Sequence, residues 1–232
     1  MTTPIDSPDP FIAPPCHEDI EILYQDDSIL LINKPSGLLS LSGKNPLNKD
    51  SVHHRLVQDF PTATLLHRLD FGTSGIMLVA LNKALNGILT KEFQEGRVSK
   101  TYTALLHGHL YGDDQEDSGT IDLPIAKDKP NFPLVKICAE TGKSAVSEFV
   151  VLERLSQPDR TRVCFTPLTG RTHQLRIHSQ KIGHPIVGCD LYGLADDETG
   201  LDANRLMLHA TTLAFTHPVS RQPMQMECVA PF

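Results

Sequence analysis

The spacing of apolar positions changes several times along the chain, and each change marks an element. Residues 22–24 and 29–33 are short apolar runs split by Asp26 and Asp27, which reads as two strands joined by a turn. Pro35-Ser36-Gly37 then breaks the chain, and the polar stretch 40–50, with Gly43 and Pro46, reads as a surface loop. Residues 51–60 suit a short helix ended by Pro61. Residues 75–81 (G-I-M-L-V-A-L) form a continuous apolar run of strand length, predicted to be a central strand buried on both faces. Over residues 83–95, Leu85, Ile88, Leu89 and Phe93 line one stripe of a helix, with Gly96 at its end. Residues 99–107 read as a strand, and the acidic stretch 111–120, ending in Ser118-Gly119, as a hairpin connection. Two more strands, 146–155 and 162–167, flank a Pro158-Asp159 turn; Thr172 suits the N-cap of a helix running to about Lys181. Residues 193–204 read as an acidic loop, and 206–215 and 224–229 as closing strands. Strands outnumber helices and are often joined by short turns, which predicts an α+β class with a mixed or antiparallel sheet.

Composition narrows the functional classes. The first 19 residues hold Pro4, Pro8, Pro10, Pro14 and Pro15 among several acids and read as an extended or disordered arm, leaving residues 20–232 as the folded body. Five scattered cysteines with no C-x-x-C point to reduced thiols in the cytoplasm rather than to disulfides or structural zinc. No apolar run reaches membrane-spanning length, and no basic segment followed by an apolar one suggests a secretory leader. No G-x-G-x-x-G or Walker-type loop opens a helix after a strand, so a nucleotide cofactor lacks its usual anchor. The eleven histidines do not make a metal motif: His173 and His178 stand five apart with no Glu where H-E-x-x-H needs its base. A formal net charge of −7 argues against a nucleic-acid partner unless basic residues gather on one face, in which case affinity depends steeply on salt.

The chemistry concentrates in His67-Arg68-Leu69-Asp70-Phe71-Gly72-Thr73-Ser74-Gly75, which sets a carboxylate and a guanidinium in a turn just before the most apolar strand. Reactive groups are commonly held on loops fixed by a rigid sheet. On residue chemistry alone, a loop merely held together by Arg68 and Asp70 and a loop presenting a reactive carboxylate are both open readings.

The stretch H-R-L-D-x-x-T-S-G resembles the signature of the RluA-type pseudouridine synthases at every fixed position. Further segments resemble the same family in the same order. They are K-P-S-G at 34–37, K-T-Y at 100–102, G-R-T-H-Q-L-R-I-H at 170–178 and L-M-L-H-A at 206–210. The resemblance runs from about residue 20 to the C-terminus. One position departs from it: where the family continues G-H-P-I-x-G-D, this chain has Cys189, with Asp190 one place later.

The resemblance implies a pseudouridine synthase fold, with a large mixed, mostly antiparallel sheet and flanking helices around a central RNA-binding cleft. It also implies an isomerase that breaks the glycosidic bond of a uridine in RNA, turns the base and rejoins it through carbon, with no cofactor and no metal. The implied reactive carboxylate is Asp70. Attack on the sugar, addition to the base and removal of a sugar proton all need it ionised. Burial alone raises a carboxyl pKa, and Arg176 is the implied counter-ion. Tyr102 is the implied active-site tyrosine, able to stack on a displaced base and to take part in proton transfer at carbon. A uridine in a stem-loop must be flipped out, and Arg68 is implied to fill the space it leaves. His67, Thr73, Lys34, Arg171 and His173 complete the expected RNA contacts, with Lys181, Lys127 and Lys129 as further phosphate candidates.

Among family members the opening L-Y-Q-D-D at 23–27, K-P-S-G-L-L-S at 34–40 and E-T-G-K at 140–143 are most similar to the dual-specificity enzymes. Those modify a hairpin uridine in 23S rRNA and one in the anticodon stem-loop of tRNAs. A monomer is expected. The alternatives are a compact relative acting on a different tRNA uridine only, and a non-catalytic RNA-binding protein; the presence of Asp70, Tyr102 and Arg176 together speaks against the second.

Overall fold

The computed structural model describes residues 11–193 and 203–232. The expected acidic loop at 193–204 falls almost wholly outside the described residues. The chain divides into two compact units, an N-terminal unit Met1–Lys91 and a C-terminal unit Glu92–Phe232.

The N-terminal unit holds strands β1 (Glu21–Gln25), β2 (Ile29–Lys34), β3 (Thr64–Leu65) and β4 (Ser74–Ala80), with helix α1 (Val52–Asp59). β2 pairs antiparallel with β1 and β4, and β3 pairs antiparallel with β4. The turn between β1 and β2 is closed by the Asp26 carboxylate, which accepts from the amides of Ser28 and Ile29 at 2.7 and 2.9 Å. All seven residues of β4 are buried, as the unbroken apolar run predicts. α1 is capped by Ser51, whose hydroxyl accepts from the His54 amide at 3.1 Å. Helix α2 (Lys83–Gln94) ends at Gly96 in a left-handed conformation and buries Leu89 completely.

Residues 11–19 carry no helix or strand, yet side chains hold them to the N-terminal unit. Asn48 donates to the Phe11 carbonyl and accepts from the Ala13 amide. Arg55 donates to the carbonyls of Cys16 and Glu18.

The C-terminal unit holds β5 (Ser99–His107), β6 (Ser118–Asp122), β7 (Ile125–Lys127), β8 (Val135–Ile137), β9 (Val146–Leu155), β10 (Arg160–Pro167), β11 (Leu208–Thr216) and β12 (Pro223–Glu227), with helix α3 (Gln174–Lys181). Antiparallel pairings run β12–β11–β5–β10–β9–β6, and β7 and β8 form a separate two-stranded ribbon. Its core gathers Ala104 and Leu106 of β5, Val163 and Phe165 of β10, Leu175 and Ile177 of α3, and Leu208 of β11.

The α+β class is as expected. The hairpin connection expected over 111–120 is corrected: Ser118 and Gly119 already belong to β6, a largely polar strand at the end of this pairing order, where one neighbour suffices. The N-cap expected at Thr172 is corrected to His173. The Gln174 side chain accepts from the Arg171 amide at 3.0 Å, and the helix starts one residue later than expected.

Candidate active site

In the N-terminal unit the segment 67–73 is a turn whose backbone is held by residues 34–40. The Asp70 carbonyl accepts from the Thr73 amide at 3.1 Å, closing the turn. The Ser40 hydroxyl donates to the Leu69 carbonyl at 2.7 Å and accepts from the Leu69 amide at 3.2 Å. Ser36 donates to the Gly72 carbonyl at 2.6 Å. The Phe71 carbonyl accepts from both the Gly37 amide at 3.0 Å and the Lys34 ammonium at 3.2 Å. Two motif glycines are conformational requirements: Gly37 at φ +73° and Gly75 at φ +110° occupy backbone regions open mainly to glycine. The K-P-S-G element is therefore the cradle of the signature loop, which is why the two motifs occur together.

This geometry corrects two expected RNA contacts, Lys34 and Thr73. Lys34 is fully buried, and its ammonium also donates to the carbonyls of Pro35 at 2.9 Å and Leu38 at 2.7 Å. A buried lysine needs such acceptors, and a phosphate cannot reach it. Thr73 is buried as well. His67 accepts from the Leu78 amide of β4 through Nε2 at 3.1 Å, so that nitrogen carries no proton and the ring replaces a strand partner.

Arg68 is exposed, and among the described residues no hydrogen bond or ion pair holds its guanidinium. Beside it lies a recess of ≈ 440 Å³ between Leu41, His53, Leu65, Leu66 and Arg68. Asp70 is half-buried. A rigid turn thus presents a carboxylate and a free-swinging arginine two residues apart.

In the C-terminal unit Tyr102 lies mid-strand in β5, opposite Phe165 of β10 and Ala210 of β11. It is half-buried and packs against the core that includes Leu175 and Ile177 of α3. The β11 register shifts between Ala210 and Thr212, and the extra residue Thr211 hydrogen-bonds the Thr103 hydroxyl at 2.7 Å. Such bulges re-aim neighbouring side chains and are common next to active sites.

Helix α3 is almost wholly buried, and its polar side chains are spent on one another's surroundings. Gln174 donates to the Ser147 hydroxyl at 2.9 Å, and His178 contacts the same oxygen through Nδ1 at 3.0 Å. His178 Nε2 faces the Leu123 carbonyl at 3.0 Å and must carry the proton, so Ser147 donates to Nδ1 and the ring is neutral. Burial pushes the His178 pKa below its ordinary value, which agrees. His209 of the L-x-L-H-A motif likewise donates to the Cys228 carbonyl, and burial pushes its pKa down to about 4.

Arg176 is also buried. Its Nε donates to the Cys189 thiol at 3.3 Å and its Nη2 to the Asp190 carboxylate at 2.5 Å; its guanidinium lies 5.5 Å from the centre of the Tyr192 ring. Tyr192 in turn bonds His173 Nδ1 at 3.0 Å and accepts from the Val135 amide at 2.9 Å. His173 is therefore half-buried and engaged, while Arg171, Lys181, Lys127 and Lys129 are exposed. Asp190, one place after the departure at Cys189, thus carries the acid that meets Arg176; nothing in the sequence singled out Tyr192. Among the described residues no cluster of three or more His, Cys, Asp or Glu side chains is arranged to hold a metal, and no helix is long and apolar enough to cross a membrane.

Residues 28–181 match the family described as RNA pseudouridylate synthase. The chain belongs to that family. It is 49% identical over 211 residues to the dual-specificity RNA pseudouridine synthase RluA of Yersinia pestis, covering 91% of this chain and 99% of that protein. It is 44% identical over 219 residues to the protein of the same name from Escherichia coli strain K12, covering 94% and 97%. Among solved structures, human RNA pseudouridylate synthase domain containing 1 superposes with a TM-score of 0.76 at 33% identity, covering 94% of this chain and 86% of that one. Human RNA pseudouridylate synthase domain containing 4, at 24% identity and a TM-score of 0.69, shares the fold. The chain is thus an isomerase of uridine in RNA, with the pseudouridine synthase fold expected from its motifs.

Proposed function

We propose that this enzyme has two RNA substrates, a hairpin of 23S rRNA and the anticodon stem-loop of tRNA, and that it acts on them in the cytoplasm as a monomer without a cofactor. The observation that carries this reading is the identity of 49% and 44% to two relatives named dual-specificity enzymes, spread over 99% and 97% of their lengths.

In this reading Asp70 supplies the reactive carboxylate, Arg176 its counter-ion and Tyr102 the aromatic surface and hydroxyl for the turned base. Arg68 enters the stack in place of the flipped uridine. Its planar guanidinium can stack between bases and also bind phosphate, and the fixed backbone beneath it leaves the side chain able to do both. Arg171, held to the Ser144 carbonyl at 2.9 Å yet exposed, meets the backbone, with His173 beside it.

The atoms balance within one nucleotide. The bond between N1 and the sugar carbon breaks, the base turns, C5 bonds to the same carbon, the C5 proton leaves and N1 gains one. No electrons or groups enter or leave. The C5 proton is therefore the reporter: purified protein incubated with each hairpin, tritiated at uridine C5, releases tritium from both. Release from the tRNA hairpin alone would replace this reading with the tRNA-only one, and release from neither would overturn it. Asp70→Asn lowers release by roughly 10³-fold or more while fold and RNA affinity persist; substantial turnover by that variant removes Asp70 from its role.

A further inference from the structure

Lys100 lies on β5 two residues before Tyr102, and strand alternation puts the two side chains on one face. Directly opposite it on β11 is Leu213, which is buried and offers no polar atom from its side chain. On the other side the register with β10 stops at the Tyr102–Phe165 pair, short of Lys100. The side chain is half-buried, and among the described residues no hydrogen bond, ion pair or aromatic ring engages its ammonium.

Lys34 shows what this protein does with a lysine it buries for structure: three carbonyls receive the ammonium. Lys100 has no such cradle. Burial, with no acceptor to oppose it, pushes its pKa below the ordinary lysine value. A cation withdrawn from water without a partner costs free energy, so such a position is expected where a ligand brings the anion.

We propose that Lys100 binds a backbone phosphate of the RNA strand whose uridine is presented to Tyr102. The inference rests on the reading that Tyr102 meets the target base. A phosphodiester is the anion that a uridine within RNA always carries on both sides, and a lysine ammonium is a compact point charge suited to its oxygens. The ion pair is completed only when substrate is present, which couples strand placement to the tyrosine two residues away.

The test is a salt titration of hairpin RNA binding to the full chain. Lys100→Met lowers affinity by roughly tenfold and reduces the slope of log affinity against log salt by about 0.7 to 0.9, the value of one lost phosphate contact. Lys100→Arg keeps both. Wild-type affinity and slope in Lys100→Met would overturn the proposal. Should Lys100→Met fail to fold, acetylation of Lys100 in the unmodified protein decides the matter: hairpin RNA protects the amine several-fold, and equal labelling with and without RNA overturns the contact. The Tyr102 reading is tested apart from this, because tritium release at the wild-type rate by Tyr102→Phe would remove the tyrosine's hydroxyl from the reaction without altering the salt slope assigned to Lys100.

Discussion

In the signature loop of the N-terminal unit the holding contacts run to main-chain atoms. Lys34, Ser36, Gly37 and Ser40 reach the carbonyls of residues 69, 71 and 72, and Arg68 is left to swing. In helix α3 of the C-terminal unit they run mostly from side chain to side chain. Gln174, Ser147 and His178 close one network; Cys189, Asp190 and Tyr192 close another around Arg176. The first arrangement fixes a backbone and leaves an exposed side chain able to move. The second fixes the side chain itself, as a buried charge requires. The difference teaches which motif residues do chemistry and which hold those that do.

Breaking the first arrangement has the largest expected effect on stability. Lys34→Met removes a fully buried donor shared by three carbonyls and is expected to cost about 3 kcal/mol or more, read as a lowered midpoint in urea unfolding. Lys100→Met, which abandons no acceptor within the protein, should unfold within about 0.5 kcal/mol of wild type. Equal losses in the two variants would erase the contrast drawn between the two lysines.

Much of this contrast was hidden from the sequence. The motifs marked Lys34, His67 and Thr73 as parts of the site, but a lysine in a motif reads as a surface charge because lysines are so seldom buried. Only the fold shows Lys34 beneath the loop and the His67 ring accepting a strand amide. The long apolar strands were legible: β4 from its unbroken run, and β5, whose bounds match those read from the sequence. β3, β7 and β8 were not, because two or three residues carry no period and their pairing is decided by partners far along the chain. Helix α3 was legible in extent to within one residue, but the inward turn of Gln174 and His178 to Ser147 was not.

The next effect sharpens the comparison through pH. Burial holds the His209 pKa at about 4, against an ordinary histidine value of 6.5, and pushes His178 in the same direction. The unfolded chain therefore takes up protons first as pH falls. The contribution of His209 is constant above about pH 6.5 and declines between there and pH 4, by roughly 3 kcal/mol. Urea midpoints across this range should fall in the wild type and fall less in His209→Gln. A His209→Gln curve parallel to the wild type would show that this histidine does not set the acid limit.

The smallest effect tests how the buried guanidinium is held. Two other arginines of this chain use the Nε and Nη2 edge on a single carboxylate: Arg55 meets both oxygens of Asp50 at 2.7 and 2.6 Å, and Arg97 those of Glu92 at 2.7 and 2.8 Å. Arg176 divides the same edge between the Cys189 thiol and one oxygen of Asp190. A thiol is a weak acceptor, so Asp190 is the stronger of the two partners on this edge. Its side chain is 63% exposed against 5% for Arg176, so Asp190→Asn should cost less than about 1 kcal/mol of stability. On the role proposed for Arg176, turnover should fall roughly tenfold, because a guanidinium held out of line is less well placed for catalysis. Adding Cys189→Asp to Asp190→Asn puts the family's acid back where both guanidinium nitrogens can reach it, and the rate should recover. Recovery would show that the position of the acid is interchangeable while its presence is not; a double variant as slow as Asp190→Asn would mean that the displaced acid has become the one this loop is built around.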